Sequence, residues 1–281
     1  MSLAAPLLHR LPAPVFHSLD AALGPVRPAS QAYVVAAFHR IADFPGDELS
    51  YPPAAFAELL TYWRDHYEIL PLHRLLARVA RRLPAAHPSL TITFDDGYAD
   101  NYEVAAPALD RGDLSATFFV TTARLGAVHR FPWDADLPST SALMNWDHVR
   151  ALHAAGFGIG SHTETHVRLS QTRGSQLARE LEGSRVRIMA ELNLPETAAL
   201  EFAYPFGGEG DCDGEARRAV QAAGYRCCLS CHGGLVAATD SPFCLRRICV
   251  SPRYHARPRD WARAITRARL RQVPLSTAAH W

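Results

Sequence analysis

Two rhythms of apolar and polar positions alternate along this chain. Short unbroken apolar runs at Tyr33–Phe38, Leu90–Phe94, Ala116–Val120, Phe157–Gly160, Leu200–Ala203 and Tyr225–Leu229, each bounded by turn residues, predict buried strands. Between them, Pro53–His66, Leu72–Arg81, Tyr102–Arg111, Trp146–Ala155, Gly174–Leu192 and Glu215–Ala223 repeat apolar residues at helical spacing. Three of these helices run into a glycine, at Gly112, Gly156 and Gly224, as left-handed C-terminal caps require. Strand-helix alternation implies a parallel sheet, closed as a barrel or open and doubly wound; the alternation alone does not choose. Residues 1–30, rich in Pro and Ala, read as an N-terminal extension, 31–255 as the main domain, and 256–281 as an Arg-rich helix or tail. No repeat of solenoid or propeller length is present.

Composition removes several function classes. The 281 residues are 48% hydrophobic and 20% charged, ordinary for a globular domain, with no apolar stretch long enough to span a bilayer. With 29 basic against 28 acidic residues, no global field recruits nucleic acid or an anionic membrane. All 29 basic residues are Arg, which excludes Schiff-base and phosphate-lysine chemistry. His9, Arg10, Pro12 and Pro14 interrupt any signal-peptide core, so the expectation is a cytoplasmic protein. The Arg-rich stretch 257–271 reads as a solvated helix face, with peripheral attachment to the inner membrane face as the alternative. Six cysteines lie in the last quarter; Cys228-Leu229-Ser230-Cys231 has a metal or redox form, but its apolar setting favours buried structural thiols.

Three strand ends carry chemistry. Thr91-Ile92-Thr93-Phe94-Asp95-Asp96-Gly97-Tyr98 sets two adjacent carboxylates at the end of an apolar strand, where they repel unless a cation or shared proton intervenes. Capping of the next helix is the plainer explanation of either aspartate. In Gly160-Ser161-His162-Thr163-Glu164-Thr165-His166, histidines four apart predict two imidazoles on one face of a helical turn, suited to one metal ion. With the carboxylate pair, an Asp-His-His zinc triad becomes reasonable, the second aspartate acting as base on a water. Phe202-Ala203-Tyr204-Pro205-Phe206-Gly207-Gly208 is a turn that can aim a backbone N–H into a pocket.

In this order and at these intervals, the three segments resemble the motifs of the polysaccharide deacetylase family, the NodB-homology group of carbohydrate esterases (family 4). The resemblance runs from about Tyr33 to Val250 and extends through Ala99-Asp100-Asn101-Tyr102 and Ala116-Thr117-Phe118-Phe119-Val120. It implies a distorted, incomplete (β/α) barrel and hydrolysis of N-acetyl groups from N-acetylhexosamine units of an oligo- or polysaccharide. Carried over, Asp95 is the general base, Asp96, His162 and His166 bind zinc or another divalent transition metal, and the Phe206 N–H, on the Tyr204-Pro205-Phe206 loop, helps hold the oxyanion.

Two departures follow. The third segment lacks the family's arginine that tethers the catalytic aspartate. Arg246 or Arg247 can substitute, and the resemblance of Leu245-Arg246-Arg247-Ile248 to the L-x-R-I ending of exopolysaccharide-type members favours Arg247. No late histidine matches the family's catalytic acid. Instead Val34-Val35-Ala36-Ala37-Phe38-His39 resembles the first strand of circularly permuted members, making His39 the candidate acid ahead of His232 and His255. The loop 121–141, with Phe131, Trp133 and Asp134, is expected to border a sugar-binding groove, Trp133 stacking on a ring or packing in the core. Two other activities remain open: deacylation or deformylation of a lipid- or nucleotide-linked amino sugar, and catalytically silent carbohydrate binding.

Overall fold

The computed structural model describes residues 32–83, 88–126, 131–135, 137, 142–237 and 239–272. The expected extension 1–30 lies outside them, as do 127–130, most of 136–141 and the last nine residues. Helix α1 (Pro53–His66) starts on a proline, whose missing N–H costs nothing at that position. Helix α2 (Leu72–Ala80) follows it, then α3 (Ala106–Arg111), α4 (Trp146–Ala154), α5 (Gly174–Ala178), α6 (Ser184–Glu191) and α7 (Gly214–Ala222). A single turn, α8 (Pro252–His255), and the 15-residue α9 (Pro258–Gln272) are the last described elements. Asn145 and Asp213 cap α4 and α7 by accepting the N–H groups of His148 and Ala216.

Strands β1 (Ala32–Phe38), β2 (Glu68–Ile69), β3 (Ser89–Phe94), β4 (Ala116–Val120), β5 (Gly158–Ser161), β6 (Glu201–Ala203), β7 (Cys227–Leu229), β8 (Val236–Ala237) and β9 (Ile248–Cys249) form one sheet. Its order is β7-β6-β5-β4-β3-β1-β8, parallel except for the β1–β8 pair. The gap between its two ends is spanned by a single segment. Leu245 bridges to Leu229 of β7, and Ile248 and Cys249 pair with Ala36 and Ala37 of β1. The result is a distorted, incomplete (β/α) barrel, the closed alternative of the two that the strand-helix alternation left open.

Side chains alternate across each strand as the pleat requires. Val34, Ala36, Phe38, Leu90, Ile92, Phe94, Phe118 and Val120 face outward into the main core with the helices. There Phe94 stacks between Phe38 and Phe118 at 5.4 and 4.8 Å. Tyr33, Val35, Phe119, Ala203, Leu229 and Leu245 form the second, inner cluster, closed by Leu72, Leu75 and Val79 of α2. The Arg-rich helix α9 is not wholly solvated: Trp261 and Ile265 are buried, and Trp261 packs on Trp63 of α1 at 4.8 Å. That packing joins part of the expected tail to the main core, and its charged face covers only one side. No helix among the described residues is long and apolar enough to cross a membrane.

Candidate active site

Parallel strands deliver their following loops to one edge, and here five strand ends converge there. His39 follows β1, Asp95 and Asp96 follow β3, His162 follows β5, Tyr204 follows β6 and Cys231 lies just past β7. The Asp95 N–H donates to the Phe38 carbonyl at 2.9 Å, so the aspartate pair and His39 start from adjacent positions on paired strands. A cavity of about 410 Å³ opens on this edge, lined by His39, Asp95, Asp96, His162 and His166. Among the described residues seven non-glycines have positive φ, and four belong to this edge: Asp96 (73°), Thr163 (67°), His166 (69°) and Phe206 (64°). Each such conformation costs on the order of 1 kcal/mol, so the surrounding contacts must hold it in place.

The Oδ1 of Asp96 stands 3.3 Å from Nε2 of His162 and 3.1 Å from Nε2 of His166. The two histidines do not share a helical turn, contrary to what their spacing suggests. Thr163 and His166 adopt left-handed backbone in an irregular loop, which folds back because Glu180 accepts the N–H groups of Glu164 and Thr165 at 3.0 and 2.8 Å. Glu180 comes from a π-helical turn, Arg179–Gly183, that links α5 to α6, so the predicted helix Gly174–Leu192 is interrupted where it serves the site.

The three groups fit a metal ion. Asp96 Oδ1 is buried and makes no hydrogen bond of proper geometry, an orphaned acceptor that costs roughly 1–3 kcal/mol if left so. His162 Nδ1 lies 2.8 Å from the Ala203 carbonyl, which selects the tautomer with its Nε2 lone pair toward Asp96. All three ligand atoms lie within 4.8 Å of one another, and a carboxylate with two imidazoles is a common zinc set. Burial opposes ionisation of Asp96, but the adjacent His162 and His166 imidazoles hold it well below the usual carboxylate range. Burial likewise opposes protonation of His162, which the two aspartates outweigh, raising it; for His166 burial wins and the group is lowered.

Asp95 is held separately. Arg247 donates from Nη1 to Oδ1 at 2.8 Å and from Nη2 to Oδ2 at 2.6 Å, a bidentate pair with both side chains buried. Arg247 is fixed in turn by the Ser230 carbonyl and the Thr93 hydroxyl. Burial would raise the Asp95 carboxyl, but the Arg247 guanidinium and His162 overcome it and hold the group below its ordinary value. Arg246, the alternative tether, lines a different cavity and leaves Asp95 to its neighbour.

His39 is half-buried on the cavity wall, its backbone carbonyl held by Asn101 Nδ2 at 2.7 Å. His255 accepts the Ser251 N–H through Nδ1, and burial pushes it down to about 4. His232 and His255 both line a second cavity instead, so only His39 of the three shares the wall with Asp95. Trp133, 39% exposed, lines the catalytic cavity beside His166 and Phe206, its Nε1 donating to the Tyr98 hydroxyl at 3.0 Å. Its neighbours in the loop do not border a groove. Phe131 is buried behind it, and Asp134 is buried in an ion pair with Arg40 and contacts the Tyr98 hydroxyl. That ion pair ties the loop carrying Trp133 to the end of β1.

Phe206 is 43% exposed, and its N–H makes no hydrogen bond within the protein among the described residues. Pro205 and Tyr204 are buried behind it, the Tyr204 ring packing on Phe202 in the core although the residue borders the cavity. The Arg168 guanidinium sits 3.7 Å from the Phe206 ring centroid and pairs with both oxygens of Asp211, so an ion pair supports the ring.

The polysaccharide deacetylase profile matches residues 83–228. The chain belongs to the polysaccharide deacetylase family. It is an N-deacetylase, a hydrolase of the acetyl amide. The Bacillus subtilis (strain 168) protein YxkH, which carries the polysaccharide deacetylase name, is 24% identical over 216 residues, 76% of this chain and 70% of that protein. The Streptococcus pyogenes deacetylase PplD, solved in complex with acetate, superposes with a TM-score of 0.70 at 20% identity, over 83% of this chain and 98% of that one. IcaB from Ammonifex degensii gives 0.66 at 20% identity, over 83% and 97%. At these identities the two structures speak to the barrel alone.

Two residues that shape this site escape a reading of its motifs. Glu180 and Arg168 orient the loops without touching the central groups. Glu180 had one signal, a carboxylate buried within a helical pattern. The cysteines also divide differently than expected. Cys212, Cys227 and Cys228 are buried, but Cys231 and Cys249 line the catalytic cavity, because the chain leaves β7 at Ser230 and turns toward the site.

Proposed function

We propose that this deacetylase removes acetyl groups from N-acetylhexosamine units of an oligo- or polysaccharide, with Asp95 as general base and His39 as general acid. The observation that carries the reading is that His39, Asp95 and the Asp96-His162-His166 set line one cavity, so a single substrate amide can meet all of them. Asp96, His162 and His166 would hold a zinc ion, which when bound supplies Lewis-acid polarisation of the acetyl carbonyl and of the attacking water.

Asp95, ionised because Arg247 grips it, takes a proton from that water as oxygen attacks the carbonyl carbon. The unpartnered Phe206 N–H is available to the oxygen that gains negative charge in the tetrahedral intermediate. His39 then delivers a proton to the amide nitrogen as the C–N bond breaks, and acetate and a free amine leave. Trp133 and the Phe206 ring offer apolar faces for a sugar ring at the cavity mouth. The zinc-loaded protein, incubated with acetylated amino-sugar oligomers of increasing length, should release acetate and expose amines in equal amounts. No release from any such oligomer, with release from a formylated or lipid-linked amino sugar, would replace the polymer by that substrate.

A further inference from the structure

Cys231 and Cys249 meet at the wall between the catalytic cavity and a second cavity of about 590 Å³, and both residues line both spaces. The Cys249 thiol reaches the Cys231 carbonyl oxygen at 3.8 Å. Arg247 Nη2, which grips Asp95, also donates to Cys231 Sγ at 3.3 Å. On its other side the Cys231 N–H donates to the Gly207 carbonyl at 2.6 Å. Gly207 is packed so closely that an added Cβ would stand 3.0 Å from Cys231 Cβ. Cys231 thus touches both the tether of Asp95 and the loop that presents Phe206. The neighbouring Cys249 side chain and, against burial, the Arg247 guanidinium lower the Cys231 thiol, the setting that favours a reactive thiolate.

We propose that Cys231 is a redox-modification site for hydroperoxides, resolved by Cys249 as a disulfide that disables the deacetylase. The Cys231 sulfur attacks one peroxide oxygen; the S–O bond forms, the O–O bond breaks, and hydroxide leaves and is protonated to water. The Cys249 sulfur then attacks the sulfenic sulfur; the S–S bond forms, the S–O bond breaks, and a second water leaves. Two thiols are oxidised by two electrons and one hydrogen peroxide is reduced to two waters. Either product withdraws the sulfur acceptor from Arg247 and displaces the Gly207 loop, so hydrolysis stops while the metal ligands are untouched.

The test uses the reduced, zinc-loaded full chain, treated with hydrogen peroxide, alkylated with iodoacetamide and mapped by peptide mass spectrometry. A Cys231–Cys249 disulfide is expected in the wild type, and a dimedone adduct on Cys231 in Cys249→Ser. Acetate release should fall at least about 10-fold and return with dithiothreitol. Cys212 and Cys244 are a second pair of neighbouring cysteines, outside the lining of the cavity. A disulfide confined to that pair, full alkylation of Cys231 after peroxide, or a Cys231–Cys249 disulfide with undiminished acetate release would each overturn the proposal. The peptide map reads the thiols directly, so a failure of the substrate assignment is seen separately.

Discussion

Arg247 grips both carboxylate oxygens of Asp95 from 152 residues further along the chain, at 2.8 and 2.6 Å, with neither side chain reaching solvent. The pair has a direct kinetic signature. As the proposed base, Asp95 would act as a carboxylate, and it is held below its ordinary value, so the acidic limb of the rate profile should lie low. In Arg247→Lys the fork is lost and burial, which raises Asp95, is no longer fully opposed. The acidic limb of kcat should move to higher pH, and stability should drop, since breaking a buried pair costs roughly 3–5 kcal/mol. An unmoved limb in a folded variant would remove Arg247 from its positioning role.

Metal content separates the two aspartates. His162→Ala should lose most of its bound zinc by elemental analysis. Asp95→Asn should keep about one ion per chain yet lose about 10²–10⁴-fold in kcat. Equal metal loss in both variants would place Asp95 among the ligands.

The role of His39 is read through the leaving group. His39→Ala should lower kcat about 10²–10⁴-fold on an acetylated amino sugar, whose amine must be protonated to leave. On p-nitrophenyl acetate, whose leaving group needs no proton, the loss should be far smaller. Equal losses on both substrates would make His39 structural.

Trp133→Ala tests the aromatic rim. The ring is exposed beside Phe206, and stacking of this kind is worth about 0.5–1.5 kcal/mol, so KM for an oligomer should rise about 2- to 12-fold with kcat nearly unchanged. A fall in kcat alone would point to the metal loop instead, through His166.

His255 governs stability rather than rate. Burial depresses it to about 4 from 6.5, so the unfolded chain takes up a proton first as pH falls. Its contribution is complete above about pH 6.5 and is lost on acidification toward pH 4, up to roughly 3 kcal/mol. Urea unfolding at pH 7.5 and pH 5 should show a smaller difference in His255→Gln than in the wild type.

The strand ends could be read from sequence because buried parallel strands are continuous apolar runs, and Phe94-Asp95 or Ser161-His162 breaks that run abruptly. β2, β8 and β9, at two residues each, are too short to carry any period. β9 matters most, since its segment positions Arg247, and only the motif resemblance pointed there. The histidine spacing was visible but its conformation was not, because left-handed backbone at Thr163 and His166 is imposed by a distant Glu180. Cys231 directly follows an apolar run ending at Ser230, and no local pattern tells that the chain then turns into the cavity.

The spanning segment Leu245–Cys249 also orders events as the chain leaves the ribosome. His39, the aspartates and the two histidines emerge on strands that pair among themselves, so a metal pocket can take shape with only residues up to about 203 in place. Asp95 would then be an uncompensated charge at the rim of an open sheet. Arrival of Arg247 neutralises it in the same step that joins β7 to β1. On the proposed roles, hydrolytic competence would be timed to this closure of the barrel.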